Sequence, residues 1–323
     1  MKVVNCMAIA AGLCVASTGA WAAGGASQAP GFWTWQGFGS RSHLTGDWGG
    51  ARSELEKDGI SLGSDYEAEF GQTLEGGFTP GNHGTGVVNQ INFSADFDMD
   101  KLVGLRGGTF HLLVNSIWGH SNGGNSYAHF TNRLGTFVSP TEIYGTGLIT
   151  RLTEAAYEQK LFNDQLDVLI GYSPMGDAFG TVPVQFDFVN SSLFANPVAM
   201  PFNTGWENYP TGQWGVSAKW NVTSDLYGQI GVYEANPALS SNSGFHMGFD
   251  GATGSVSGVE IGYSPTLHVG NAVLPGVYKL GGVYDSSIIH AGLTPTNTRR
   301  GTFLGYFQMQ QMLVNFDASA DRG

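Results

Sequence analysis

Polar and apolar residues alternate along most of this chain, starting at Ser61-Leu-Gly-Ser-Asp-Tyr-Glu-Ala-Glu-Phe70. A period of two is the mark of a β-strand, because successive side chains point to opposite faces. Ten segments fit: 60–72, 86–98, 107–118, 151–162, 165–173, 212–221, 225–233, 255–264, 276–285 and 301–315. In the first, Asp65, Glu67 and Glu69 oppose Tyr66, Ala68 and Phe70. In the second, Gln90, Asn92, Ser94 and Asp96 oppose Ile91, Phe93, Ala95 and Phe97. In the third, His111 and Asn115 oppose Phe110, Leu112 and Val114. In the fourth, Glu154, Glu158 and Lys160 oppose Ala155, Tyr157 and Leu161; in the sixth, Ser217 and Lys219 oppose Trp214, Val216, Ala218 and Trp220. Ahead of them, Leu44 to Ile60 predicts a short amphipathic helix.

A soluble β-sandwich also alternates, with its apolar side inward. Two features favour a barrel built for lipid. Apolar rows often begin or end in aromatics (Phe70, Trp118, Tyr172, Trp214, Trp220, Tyr263, Phe303), which suit the headgroup zones of a membrane strand. Connections also alternate in length. Those at 98–106, 162–165 and 221–225 are short, those at 73–85, 119–150, 174–211 and 234–254 are long, and 265–275 is intermediate. Tight turns on one side and longer loops on the other are the plan of an outer-membrane barrel.

The first 22 residues read as a secretory leader: Lys2, an apolar core from Val3 to Ala16, and a small-x-small site at Ala20-Trp21-Ala22. That core is too short to cross a bilayer, which takes about 20 apolar residues. The predicted organisation is a leader over 1–22, a periplasmic segment with its helix over 23–59, and a partial barrel over 60–323. Both cysteines, Cys6 and Cys14, fall in the leader, so the remainder has no thiol for a disulfide, a metal or nucleophilic catalysis.

Of the 14 Lys and Arg one is in the leader, against 26 Asp and Glu, so nucleic acid is not an expected partner. Charged residues make up 12% of the chain while the hydrophobic fraction stays at 41%, the missing charge being replaced by 49 glycines, small polar residues and aromatics. That mixture suits strands with one lipid-facing side, a polar interior and many turns. There is no His-Glu-x-x-His, no Gly-x-Ser-x-Gly and no phosphate-cradling loop, and the eight histidines are scattered. The reading is of a protein that is not an enzyme, with no cofactor and no metal.

Three passages resemble the OprB-type carbohydrate-selective porin family: Leu44-Thr-Gly-Asp-Trp-Gly-Gly-Ala-Arg52 with Leu55 and Gly59-Ile60; Leu152-Thr-Glu-Ala-Ala-Tyr-Glu-Gln-Lys-Leu161; and Phe194-Ala-Asn-Pro197 with Gly205-Trp-Glu-Asn-Tyr-Pro210 and Trp214-Gly215. The resemblance runs from about residue 40 to the end. It implies an all-β fold, an antiparallel transmembrane β-barrel of 16 strands in the bacterial outer membrane, passing small sugars by diffusion through a constriction. Ten strands are read here and the chain stops at Asp321-Arg-Gly323, so a fragment is expected: open edges would leave unpaired backbone groups in lipid.

A sugar pore needs weak, reversible contacts: carboxylates, Arg and amides for hydroxyl groups, and aromatic faces for sugar C–H surfaces. The polar candidates are Arg151, Glu154 and Glu158 on the fourth strand, where Glu154 and Glu158 share a face. Arg133 and Asp177, in long loops, are candidates if those loops fold inward. Trp206 and Tyr209 suit either a pore lining or the packing of a folded loop. Trp48 and Leu55 are expected to dock the N-terminal helix, and Asp65, Glu67 and Glu69 to bias the lumen against anions. The expected partners are small carbohydrates and outer-membrane lipid, with a monomer and a homotrimer both compatible. The competing readings are a soluble exported carbohydrate-binding or polysaccharide-degrading β-protein and a structural adhesin.

Overall fold

The computed structural model describes residues 45–78, 85–121, 141–143, 149–191, 193, 196–241, 244–270, 272–290 and 298–315. The predicted leader, the segment 23–44, Arg133 and the terminal Asp321-Arg-Gly323 lie outside the described residues.

Among the described residues, eleven strands form one antiparallel sheet: β1 (Ile60–Gln72), β2 (Thr85–Asp98), β3 (Gly108–Ser121), β4 (Ile149–Leu161), β5 (Leu166–Ser173), β6 (Gln213–Asn221), β7 (Leu226–Ala235), β8 (Gly254–Tyr263), β9 (Thr266–Val269), β10 (Ala272–His290) and β11 (Thr298–Gln311). The order is sequential, β1 to β8 and then β10 and β11, with β9 paired to the start of β10. All ten expected strands are present. The addition is β9, in the stretch 265–275 read as a loop, where Thr266–Val269 pairs with Ala272–Pro275. The turn between β4 and β5 holds Phe162, Asn163 and Asp164 at positive φ.

Most of the apolar rows face outward and are exposed (Ile261 is 60%, Leu280 62% and Phe303 75% accessible), while Leu152 and Tyr172 are buried with Leu239 of the β7–β8 connection. Tyr66, Phe93, Ile170, Trp220 and Ile230 continue this surface. The polar rows face the other way. Among the described residues no helix is long and apolar enough to cross a membrane.

The sheet is strongly curved, and one loop shows it. Gly205 donates its backbone N–H to Asp285 on β10, while four residues later the Tyr209 hydroxyl donates to Asn92 on β2. Four residues span at most about 14 Å. Strands β2 and β10 are seven steps apart in the sheet order, about 33 Å if flat at ordinary strand spacing. Both bonds therefore need the sheet to wrap around the loop, with its polar rows on the concave side.

The helix α1 (Ala51–Asp58) ends at Gly59, whose φ of 98° is a left-handed conformation that glycine adopts without strain. It docks on the end of β1–β2 mainly through Arg52, which is buried, lies over the Trp48 ring at 4.4 Å and donates from Nη1 to the Leu62 carbonyl at 2.9 Å. Trp48 thus braces the helix through Arg52, while Leu55 is only half-buried. A second short helix, α2 (Met99–Val103), caps the β2–β3 turn, and its Lys101 Nζ donates to the Glu56 carbonyl at 3.0 Å.

Candidate functional site: an acidic cavity under an inner loop

The connection from β5 to β6, residues 174–212, folds onto the concave face. It carries two single-turn helices, α3 (Met175–Ala178) and α4 (Ala199–Asn203). Its Met175, Phe179, Met200 and Trp206 form an apolar core with Tyr233, Val256, Val283 and Tyr306 of the wall. Trp206 meets Phe179 and Tyr306 edge-on at 6.3 and 6.2 Å. Asn196 gathers the loop onto itself, donating from Nδ2 to the carbonyls of Gly176, Phe179 and Gly180 at 2.9, 2.7 and 3.2 Å. Gly180 has φ 65°, and a Cβ there would press on the Trp206 ring, so a glycine fits twice over.

Polar bonds fasten this loop around the wall. The Gly180 N–H donates to Glu260 Oε2 on β8 at 2.8 Å. The Val184 N–H donates to Gln310 Oε1 on β11 at 2.8 Å. Tyr209 donates to Asn92 Oδ1 at 2.6 Å and accepts from Asn115 Nδ2 at 2.8 Å. Thr153 Oγ1 donates to the Pro210 carbonyl at 3.0 Å, and Arg151 Nη1 to Thr211 Oγ1 at 2.9 Å. Glu260 is the most heavily engaged: the Tyr227 and Tyr306 hydroxyls and Gln229 Nε2 donate to it at 2.6, 2.7 and 2.8 Å, and Lys279 Nζ lies at 3.6 Å. It is 2% exposed, so these bonds replace the water it has lost.

Between the start of this loop and β4–β7 lies a cavity of about 270 Å³, lined by Glu154, Glu158, Asp167, Leu169, Ser173, Pro174, Asp177, Ala178, Ser217, Lys219 and Gln229. That is near the lower end of ligand-pocket sizes, about 300–1,000 Å³. Four carboxylates face one ammonium across it. Lys160 Nζ reaches Glu158 at 3.4 Å, and His111 bridges Asp96 at 2.7 Å and Glu158 at 3.7 Å. Asp177 opens onto the cavity yet sits deep within the curved wall. Although the residue is exposed to the cavity, desolvation by the wall crowding around it, with the nearby charge of Glu154, pushes its carboxyl up to about 7. Burial does the same to Glu207 on the loop, to about 7, with Arg151 opposing.

Of the residues singled out from the sequence, Glu154, Glu158 and Asp177 come together in this cavity. Arg151 sits on the same face but belongs to the loop anchorage. It is buried against Thr211 and donates to the Leu239 and Ser240 carbonyls at 3.5 and 3.3 Å. Three residues along a regular strand separate faces. A register shift at Leu113/Val114 restores Arg151 to the lumen side, because it pairs with Asn115 while Glu154 pairs with Leu113. Trp206, 1% exposed, lies in the loop core, with Nε1 donating to Asn208 Oδ1 at 2.7 Å. Tyr209 is half-buried in its bond to β2 and β3. Asp65 and Glu67 accept from Asn92 and Gln90, both at 2.7 Å.

Sequence reasoning missed Asp167, Gln229 and Glu260. Asp167 was within reach: it alternates on β5 as Glu158 does on β4. Lys219 and Ser217 were read as a polar row, but nothing in the alternation placed them beside Glu158. That adjacency is a matter of register, since Ser217 pairs with Leu169 and Leu169 with Glu158.

The family model described as "Carbohydrate-selective porin, OprB family" matches residues 82–323. The chain belongs to the OprB family of carbohydrate-selective porins. Porin B of Pseudomonas aeruginosa is 30% identical over 293 residues, 87% of this chain and 63% of that protein. The chain therefore spans less than two thirds of that relative's length. The structure described as the high-pH structure of Pseudomonas putida OprB superposes with a TM-score of 0.75 at 27% identity, covering 85% of this chain and 66% of that one. The sheet is that of an OprB-type porin, and its inner loop and acidic cavity lie on the concave side of that wall.

Proposed function

We propose that this protein is part or all of a passive outer-membrane channel for small carbohydrates, working without cofactor or energy source. One arrangement carries the reading: an exposed apolar outer face, a concave polar face, and on the concave side a loop that narrows the lumen beside four carboxylates, a lysine, serines and an amide. Membership of a porin family supports a channel rather than an enzyme. In the channel, a sugar sheds part of its hydration against the carboxylates of Glu154, Glu158 and Asp177. These accept its hydroxyls, while Lys219 and Gln229 donate to its oxygens. No single contact is strong, so the sugar leaves as readily as it arrives.

The excess of carboxylates favours neutral sugars over anionic ones. The protein sits in the outer membrane with lipid against its apolar face, as a monomer or a homotrimer. The soluble sugar-binding reading would leave the broad apolar outer surface in water, where monomeric proteins rarely keep one. Swelling of proteoliposomes in isosmotic sugar tests the proposal. Faster swelling in glucose than in gluconate is the expected result, and no swelling above empty liposomes would refute it.

A further inference from the structure

Far from the cavity, Glu67 and Glu69 of β1 meet Glu142 of the segment 141–143, with one carboxylate oxygen from each within 4.8 Å of the others. Glu67 Oε2 accepts from Gln90 Nε2 at 2.7 Å, and Glu69 Oε2 accepts from the Ile143 N–H at 3.0 Å. Glu69 is 5% exposed, and its second oxygen, Oε1, is buried without a hydrogen-bond partner. Among the described residues no Lys, Arg or His forms an ion pair with any of the three. On one side the cluster is walled by the apolar contact of Val88, Ile117 and Ile143.

Three carboxylates this close in partly desolvated surroundings need a counter-charge, and no described Lys, Arg or His supplies one there. Either protons or a cation must fill the place. The ligand set is all oxygen, which excludes soft metals and suits a hard one. Ca²⁺ accepts irregular sets of carboxylates, carbonyls and water, whereas Mg²⁺ demands near-octahedral geometry and gives up water reluctantly.

We propose that Glu67, Glu69 and Glu142 bind one Ca²⁺ ion, which fastens the segment 141–143 to strand β1. Glu69 supplies its free buried oxygen, Glu67 and Glu142 supply one or two oxygens each, and water completes the shell. The ion acts as a structural clasp, independent of what passes through the lumen, so this site stands or falls apart from the sugar reading.

The test is Tb³⁺ luminescence and calorimetric Ca²⁺ titration of the full chain, purified in detergent and stripped with EDTA. One saturable site is expected, with a Kd of about 0.1–1 mM, as in extracellular Ca²⁺ modules. Mg²⁺ should compete weakly. Glu69→Gln and Glu142→Gln should each weaken binding by about tenfold or more. Glu142→Gln changes a loop residue, so it reports on the site even if Glu69→Gln fails to fold. Absence of a saturable site in the parent, or unchanged Ca²⁺ affinity in a folded Glu142→Gln variant, would overturn the assignment. The first of these outcomes would leave the three groups as carboxyls sharing protons.

Discussion

Gly180 and Glu260 are joined by one hydrogen bond across 80 residues of sequence, from the loop N–H to Oε2 at 2.8 Å. That bond sets the loop's height over the lumen floor, because Gly180 also lies against Trp206 at the loop core. Glu260→Ala would strand two tyrosine hydroxyls, the Gly180 N–H and Lys279 without their acceptor. Loss of a buried charged partner costs about 3–5 kcal/mol. The expected outcome is a lower thermal midpoint with a larger, noisier single-channel conductance. Glu260→Gln, which keeps an acceptor for Tyr227 or Tyr306, should fall between. Wild-type conductance and wild-type melting in Glu260→Ala would show that the loop is held by its apolar core alone.

Tyr209 fastens the other end of the loop to β2 and β3. Tyr209→Phe removes only the hydroxyl and leaves Asn92 and Asn115 to find other partners. The cost should be about 1–3 kcal/mol, read as an earlier denaturant midpoint. A companion Asn115→Ala variant should add little once Tyr209 is Phe, because the two act through one network. Full additivity would separate them.

The outward apolar rows can be tested by charge. In a soluble protein an exposed Leu280→Arg change would be close to neutral, within about 0.5 kcal/mol. On the lipid face of a barrel it costs about 2–4 kcal/mol near the bilayer midplane. Folding yield into lipid vesicles should therefore drop sharply for Leu280→Arg and stay near wild type for Ser217→Arg, whose side chain faces the lumen.

The raised carboxyls of Asp177 and Glu207 predict a pH dependence. Desolvation by the surrounding wall and loop, joined at Asp177 by the charge of Glu154, raises both to about 7, so below that pH they are neutral and above it they are charged. Raising the pH from about 5 to about 9 should add two negative charges beside the constriction and strengthen cation preference, seen as a shift in reversal potential in a KCl gradient. In Asp177→Asn/Glu207→Gln the shift should shrink markedly. An undiminished shift in that double variant would assign it to other groups.

The strands were legible because one physical demand, apolar out and polar in, repeats along most of them; Tyr233, Val256, Val283 and Tyr306 break it where the inner loop packs. β9 was missed because its four residues, though alternating, are too short a run to stand out from a hairpin connection turning at Gly270. At the site, Glu154 and Glu158 were readable from spacing, since four residues on a strand keep one face. Arg151 shares their face in the fold although three-residue spacing on a regular strand would set it opposite, and it anchors the loop instead of lining the cavity. The bulge that reconciles them depends on β3 and leaves no mark in β4. Glu260 was invisible for the same kind of reason: all five of its partners lie on other strands or in a distant loop, and only the folded chain brings them to it.

The central claim is that the concave side is a route for sugars. Ion current through the protein in a planar bilayer, recorded while glucose is added, tests it most directly. A fractional, saturable fall in conductance, weakened in Glu158→Ala, is the predicted result. An open pore whose current is the same at every glucose concentration, in both proteins, would contradict it.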